Sequence, residues 1–255
     1  MLEEPTIKAR VHSINVSGEL RYVRFAGQVV TTGFFKTPVG GEVYAHKLGL
    51  EGDAQGDLSV HGGLDKAVYF YPKEHYALWE ELLASGPLPP GSFGENVNSD
   101  GLLETDLHIG DVIQIGTATL QVLQPRSPCY KLQIRFGRPD MTALFFREGK
   151  PGWYASVLEE GTFSAGDEML LINRAPQKLS GSDIWRFSVQ SQVAPETVAR
   201  VMDLSSCLTS GRNESGAVQI FSTHHMTRRT ATDAARRGWK NDASHPGAAC
   251  EDSAT

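Results

Sequence analysis

The feature that most constrains this chain is a two-residue rhythm over residues 111–124, DVIQIGTATLQVLQ. Ile113 and Ile115 flank Gln114, Gly116 and Thr117 interrupt, and Ala118, Leu120 and Val122 then alternate with polar neighbours. Alternation at period two places apolar side chains on one face of a strand, so the segment predicts a β-hairpin with one buried face. Residues 43–50, 66–71 and 168–172 read as further strands. Gly-Asp steps at 52–53, 56–57, 110–111 and 166–167 supply turns. Short strands at near-regular spacing predict a mainly β fold with a few helices, a barrel or a sandwich. Two helices interrupt it. Pro72 suits a first helical position; Tyr76, Trp79 and Leu83 recur at helical spacing, and Gly86 stops the run. Asp140 is placed to cap a shorter helix through Arg147, ended by Gly149.

With 255 residues, 40% of them hydrophobic, the chain can bury one large core, with room for an appendage. A net charge of −6 argues against general nucleic-acid binding. No apolar run is long enough for a membrane span, and MLEEPTIKAR has no apolar core of a secretory signal. Cys129, Cys207 and Cys250 are too few for a disulfide scaffold. These features predict a protein of a reducing compartment, the cytoplasm.

The texture changes at residues 173–176. Residues 1–173 carry a net −8, and the remainder carries +2 and is rich in Ser, Thr and Ala. A domain boundary is expected there. Residues 195–208 keep roughly helical apolar spacing. Residues 228–240 hold five basic residues and one acidic one, which reads as a solvated basic tail.

The densest chemistry lies in residues 124–132, QPRSPCYKL. Pro125 and Pro128 stiffen the segment. Arg126 and Lys131 bring positive charge towards Cys129, a setting that favours thiolate, which is both nucleophile and soft-metal ligand. A structural buried cysteine is the plain alternative. In residues 60–68, VHGGLDKAV, Gly62 and Gly63 let backbone approach a ligand, and His61 and Lys66 are candidates to face an anion. The plain alternative is a tight turn with a solvated Asp65-Lys66 pair. Glu95 and Asn96 in SFGEN, and Lys36 with Thr37, are further polar loop candidates, with ordinary turn or loop chemistry as the alternative. Dinucleotide and P-loop glycine motifs, CxxC pairs and a GxSxG elbow are missing. The adjacent His224 and His225 are weak metal candidates.

Four segments then carry a resemblance: GLEGDAQGDLSVHGGLDKAVYFYPKEHYALW at 49–79, GSFGEN at 91–96, IGDVIQIGTATLQVLQPRSPCYKL at 109–132, and GWYASVLEEGTFSAGD at 152–167. In order and spacing they resemble a MOSC domain of the YiiM subfamily, named for the C-terminal part of molybdenum-cofactor sulfurase. The resemblance implies a MOSC β-barrel over residues 11–174. A short helical appendage would follow at 175–209, a divergent remnant of the subfamily's three-helix domain, and a low-order tail at 210–255. It implies molybdenum-cofactor-dependent reduction of N-hydroxylated compounds, such as hydroxylaminopurine-type base analogues, to amines. The cofactor is molybdopterin-based. Pyridoxal phosphate binding is a second association carried by the same resemblance.

Cys129 matches the family cysteine that ligates molybdenum. Lys36, Gly62, Gly63, Lys66, Asn96, Arg126, Ser127 and Lys131 fall where cofactor contacts are expected. His61 is the first candidate for the proton donor that N–OH reduction needs. Nothing in the sequence delivers electrons, so a separate flavin or iron–sulfur donor is implied, and a homodimer is the implied assembly. One rival reading makes the chain a sulfur or molybdenum-cofactor carrier without turnover. Another makes it a binding protein whose basic tail contacts nucleic acid.

Overall fold

The computed structural model describes residues 8–56 and 62–189. The strands are β1 (Ala9–Val16), β2 (Arg21–Phe25), β3 (Gln28–Thr32), β4 (Thr37–Val39), β5 (Val43–His46), β6 (Gly49–Leu50), β7 (Val68–Pro72), β8 (Val97–Asp100), β9 (Val112–Ile115), β10 (Ala118–Pro125), β11 (Trp153–Glu159), β12 (Gly161–Phe163) and β13 (Glu168–Asn173). The helices are α1 (Tyr76–Leu83), α2 (Lys131–Phe136), α3 (Met141–Glu148) and α4 (Gly181–Val189).

Seven strands close a barrel in the order β13-β9-β10-β11-β7-β8-β1, with β13 pairing back onto β1. Every pairing is antiparallel except β7 with β8. Closure removes the free sheet edges. β4 adds to the outside of β1, β12 pairs with β5 and β5 with β6, and β2 and β3 form a separate two-stranded ribbon. Among the described residues no helix is long and apolar enough to cross a membrane.

The alternating residues do what their rhythm requires. Ile113, Ile115, Ala118, Leu120 and Val122 are buried, and the Gly116-Thr117 turn brings Ala118 opposite Ile115. On β7, VYFYP is buried throughout because both faces are covered. Phe70 stacks on Trp153 on one face, with ring centroids 5.5 Å apart. Tyr69 and Tyr71 on the other face join Trp79, Phe93, Leu132 and Phe145 in a second core under the helices. Each such side chain, withdrawn from water, contributes roughly 2 kcal/mol.

Several boundaries differ from the sequence expectation. Residues 43–50 are a hairpin of β5 and β6, turning at Lys47 and Leu48, rather than one strand. The expected strand 66–71 starts at Val68, because residues Leu64–Lys66 form a single 3-10 turn. Pro72 ends β7; another 3-10 turn follows, and α1 stops at Ala84 in the left-handed region, two residues before Gly86. Asp140 precedes α3 without capping it, since its carboxylate is held by Arg138; Gly149 does end the helix. Helix α2 was not anticipated. Its six residues are too few to show a periodicity.

Beyond the expected break at 173–176 the chain stays fastened to the barrel. Asp111, fully buried, accepts from the Arg174 guanidinium at 2.8 Å, the Ala175 amide at 2.7 Å and the His108 amide at 2.8 Å. Helix α4 opens with reciprocal Ser180–Asp183 bonds, a capping box. It buries Ile184 and Trp185, the latter stacked on Phe146. Residues 195–208 and 210–255 lie outside the described residues.

A second fastening joins α1's entry to the barrel wall. His75 Nε2 lies 2.8 Å from a Glu104 carboxylate oxygen, and the other oxygen accepts from the Gly152 amide at 2.6 Å. Burial opposes the charge on Glu104, but these bonds and the attraction of His75 hold its carboxyl below the usual range. A carboxyl depressed in the folded state stabilises fully above its unfolded value and loses that contribution as pH falls through the folded value. Glu104→Gln is therefore expected to cost about 3 kcal/mol near neutrality and to flatten the acid limb of stability. Urea titrations between pH 7 and 3 check this; an unchanged acid limb would refute it.

Candidate functional site

One cleft gathers most of the polar residues singled out in the sequence. It is lined by the residues following β3, the loop after β6, the segment entering β7, the SFGEN loop, and the Cys129 segment between β10 and α2. With the solvent at its mouth it holds about 560 Å³. Lys36, Gly62, Lys66, Asn96, Arg126, Cys129 and Lys131 all line it.

Two candidates stand elsewhere. Ser127 is exposed and is not among the lining residues: Arg126 turns inward and the next residue outward. Gly63 does not line the cleft either, and a Cβ there would meet open space. His61 lies outside the described residues, as do His224, His225, Cys207 and Cys250.

The backbone makes the cleft possible by close approach. A Cβ on Gly33 would strike the Ala54 carbonyl oxygen, so the strand end after β3 and the loop after β6 touch main chain to main chain. Gly94, at φ +74°, sits against the Phe34 ring.

Asp53 is the hub of the inner wall. Its carboxylate accepts from the Ser17 amide at 3.0 Å and the Asn96 side-chain amide at 2.8 Å, and it pairs with the Lys36 ammonium. Asn96 in turn accepts from the Tyr69 amide at 3.1 Å. Both members of the ion pair are nearly sealed, with side-chain exposures of 9% for Lys36 and 2% for Asp53. Burial lowers the Lys36 pKa, and the attraction of Asp53 works against that shift.

Arg126 is buried by a different device. Its guanidinium lies over Tyr69 at 4.5 Å and over Phe34 at 5.1 Å, and it donates to the Phe93 carbonyl. This ties the SFGEN loop to the cysteine segment and leaves positive charge at the cleft wall. Glu95 of that loop, fully buried, accepts from the Gly91 and Phe93 amides and from the Tyr76 hydroxyl. It braces the loop and does not line the cleft.

Cys129 is half-buried and opens on this cleft, and its carbonyl starts α2 by accepting from the Leu132 amide. Lys66 is half-buried, and burial lowers its pKa while Asp65 opposes the shift. The lining thus carries four cationic residues and one carboxylate, Asp53. No group of three or more His, Cys, Asp or Glu gathers among the described residues, so any metal here would take Cys129 as a single protein thiolate.

Sequence reasoning passed over Asp53, Tyr69 and Tyr154. Asp53 was read as half of a turn. Tyr154 stands in the GWYAS segment with no polar neighbour in sequence to mark it. Its position on β11, opposite Gln124 near the end of β10, brings its ring 5.1 Å from Tyr69 and into the cleft.

The hub makes a direct prediction. Asp53→Asn leaves the buried Lys36 without its counter-charge and should lower stability by about 3 kcal/mol, read by urea denaturation at pH 7. A change below about 0.5 kcal/mol would mean that the pair contributes nothing.

Comparison with known proteins gives the chain's family. The MOSC domain family model matches residues 57–170. YflK of Bacillus subtilis (strain 168), an uncharacterized protein, is 42% identical over 170 residues, covering 67% of this chain and 76% of YflK. YiiM of Escherichia coli (strain K12) is 44% identical over 141 residues, 54% of this chain and 63% of YiiM, so the match spans under two thirds of that relative. A Gibberella moniliformis (strain M3125 / FGSC 7600) protein named Reductase is 31% identical over 188 residues, 71% of this chain but only 33% of its own length. The crystal structure of YiiM from Geobacillus stearothermophilus superposes with a TM-score of 0.58 at 30% identity, over 77% of this chain and 98% of that one. These matches lend no support to pyridoxal phosphate binding. The chain belongs to the MOSC domain family and, within it, stands with the YiiM proteins.

Proposed function

We propose that the cleft binds a molybdenum cofactor through Cys129 and reduces N-hydroxylated compounds, such as hydroxylaminopurine-type base analogues, to amines. One observation carries the reading: a single accessible thiol shares a cleft with Lys36, Lys66, Arg126 and Lys131. Family membership and the reductase-named relative support the same direction.

The residues fit the group. A soft sulfur donor suits molybdenum, an excess of cations suits the pterin phosphate, and main-chain contact at Gly33 leaves the wall free of side chains there. When bound, the cofactor supplies two-electron chemistry that accepts oxygen from an N–OH group.

The remaining work falls to side chains of this chain. Lys66 and Lys131 attract the phosphate. Lys36, held by Asp53, and Arg126, held by its aromatic rings, supply fixed positive charge that needs no rearrangement. Tyr154 lines the cleft, and its hydroxyl has no hydrogen-bond partner among the described residues. Burial raises its pKa, so Tyr154 Oη keeps its proton and is a donor for a substrate oxygen.

Electrons come from a separate flavin or iron–sulfur protein. A homodimer and a cytoplasmic location belong to the same reading. A free thiol such as Cys129 suits a reducing compartment.

Elemental analysis of protein from a cofactor-producing host tests the reading, with Cys129→Ser alongside. About one molybdenum per wild-type chain is expected, with reductase turnover from an artificial donor; both should be lost in the variant, because a hydroxyl is a harder and far less acidic ligand. Full activity in Cys129→Ser removes the ligand assignment, and a loaded protein without turnover makes the chain a cofactor carrier. Tyr154→Phe should keep its molybdenum and lose roughly tenfold in kcat/KM, the loss of one hydrogen bond. Unaltered kinetics in that variant would take Tyr154 out of the site.

A further inference from the structure

Outside the cleft, two guanidinium groups meet at one ring. Arg21, at the start of β2, lies 5.0 Å from the Phe35 ring centroid, and Arg135, in the last turn of α2, lies 5.4 Å from the same centroid. Neither has a hydrogen-bond acceptor or a carboxylate partner among the described residues. The carboxylate that attracts Arg135 through space, Glu95, is already committed to the Tyr76 hydroxyl and the Gly91 and Phe93 amides. Two like charges held against one ring repel, and a half-buried guanidinium has donors to satisfy. An anion that reaches both guanidinium groups would answer both costs.

The position is informative. Phe35 lies between Phe34 and Lys36, which both line the cleft. Arg135 follows Lys131 by four residues on α2, so the two share a helix face one turn apart, and Lys131 lines the cleft. On β2, Phe25 shares a face with Arg21 and stacks on Tyr130, the residue after Cys129, with centroids 5.4 Å apart. The β2–β3 ribbon therefore lies against the cysteine segment through Phe25.

We propose that Arg21 and Arg135, set against Phe35, form an outer anion site that takes the phosphate monoester group of a substrate. The site is distinct from the inner cations, which face Cys129. It extends the reductase reading, on which it rests for the reacting end of the substrate: the molecules preferred are N-hydroxylated base analogues in their phosphorylated form. Guanidinium suits this task, because it offers paired donors to phosphate oxygens and stays charged.

Calorimetric titration of inorganic phosphate into the full chain at low ionic strength tests the site without any turnover. Arg21→Gln and Arg135→Gln should each weaken one binding event at least about tenfold, while Lys66→Ala, in the inner cleft, should leave that event intact. An event unchanged in both arginine variants, or lost in Lys66→Ala, overturns the proposal. Should Arg135→Gln melt early, Arg21→Gln on the ribbon decides by itself. A second arm distinguishes a substrate group from a free ion: adenosine 5′-monophosphate should compete for the event and adenosine should not. Phosphate binding that the nucleotide cannot displace overturns the substrate assignment. Molybdenum content, measured separately, tells failure of the reductase reading from failure of this site.

Discussion

Everything around the cleft depends on keeping two cations, Lys36 and Arg126, out of water. A buried charge left alone is too costly to persist, so each must be met by something fixed. Lys36 is met by Asp53, which is in turn fastened to Ser17 and Asn96. Arg126 is met by the faces of Tyr69 and Phe34 and by the Phe93 carbonyl. These contacts draw together the segments after β3 and β6, the SFGEN loop and the end of β10. The cleft is thus the place where four loops share the task of neutralising two ions, and Cys129 sits beside them.

Positive potential that is built in, rather than assembled on binding, suits an anionic ligand. Charges held by packing need no reorganisation when the ligand arrives. Arg126 illustrates the division of labour: one donor holds the Phe93 carbonyl, and the Tyr69 and Phe34 faces hold its charge in place. Lys131 is buried as Lys36 and Arg126 are, and Lys66, half-buried, is the most accessible of the four.

How much of this was legible in the sequence differs by element. The hairpin of β9 and β10 was written plainly, because a half-buried strand must alternate. The loop carrying Cys129 was legible because two prolines and two cations around one thiol are an unusual combination. Strand β7 was legible as apolar but not as buried on both faces, since that depends on helices packing from elsewhere in the chain. Asp53 looked like turn chemistry because its partners, Ser17, Lys36 and Asn96, lie far off in sequence. Tyr154 carried no local mark at all. Helix α4 falls in the stretch expected to hold a helical appendage, and its local signal was the Ser180–Asp183 spacing of a capping box. Ser127 shows the opposite failure: a neighbour of a cleft residue in sequence faces the other way in space.

The pairing of β1 with β13 has a consequence for biogenesis. The barrel's first strand meets β13 only after more than one hundred and fifty further residues have been made. Contacts so distant along the chain are slow to form, because the intervening loop must be closed before the bonds reward it. Until then Ala9 and Arg10 at the start of β1 lack that partner, and unpaired strands recruit one another. Overproduction at a lower temperature, with slower synthesis, should therefore yield more native protein than rapid expression.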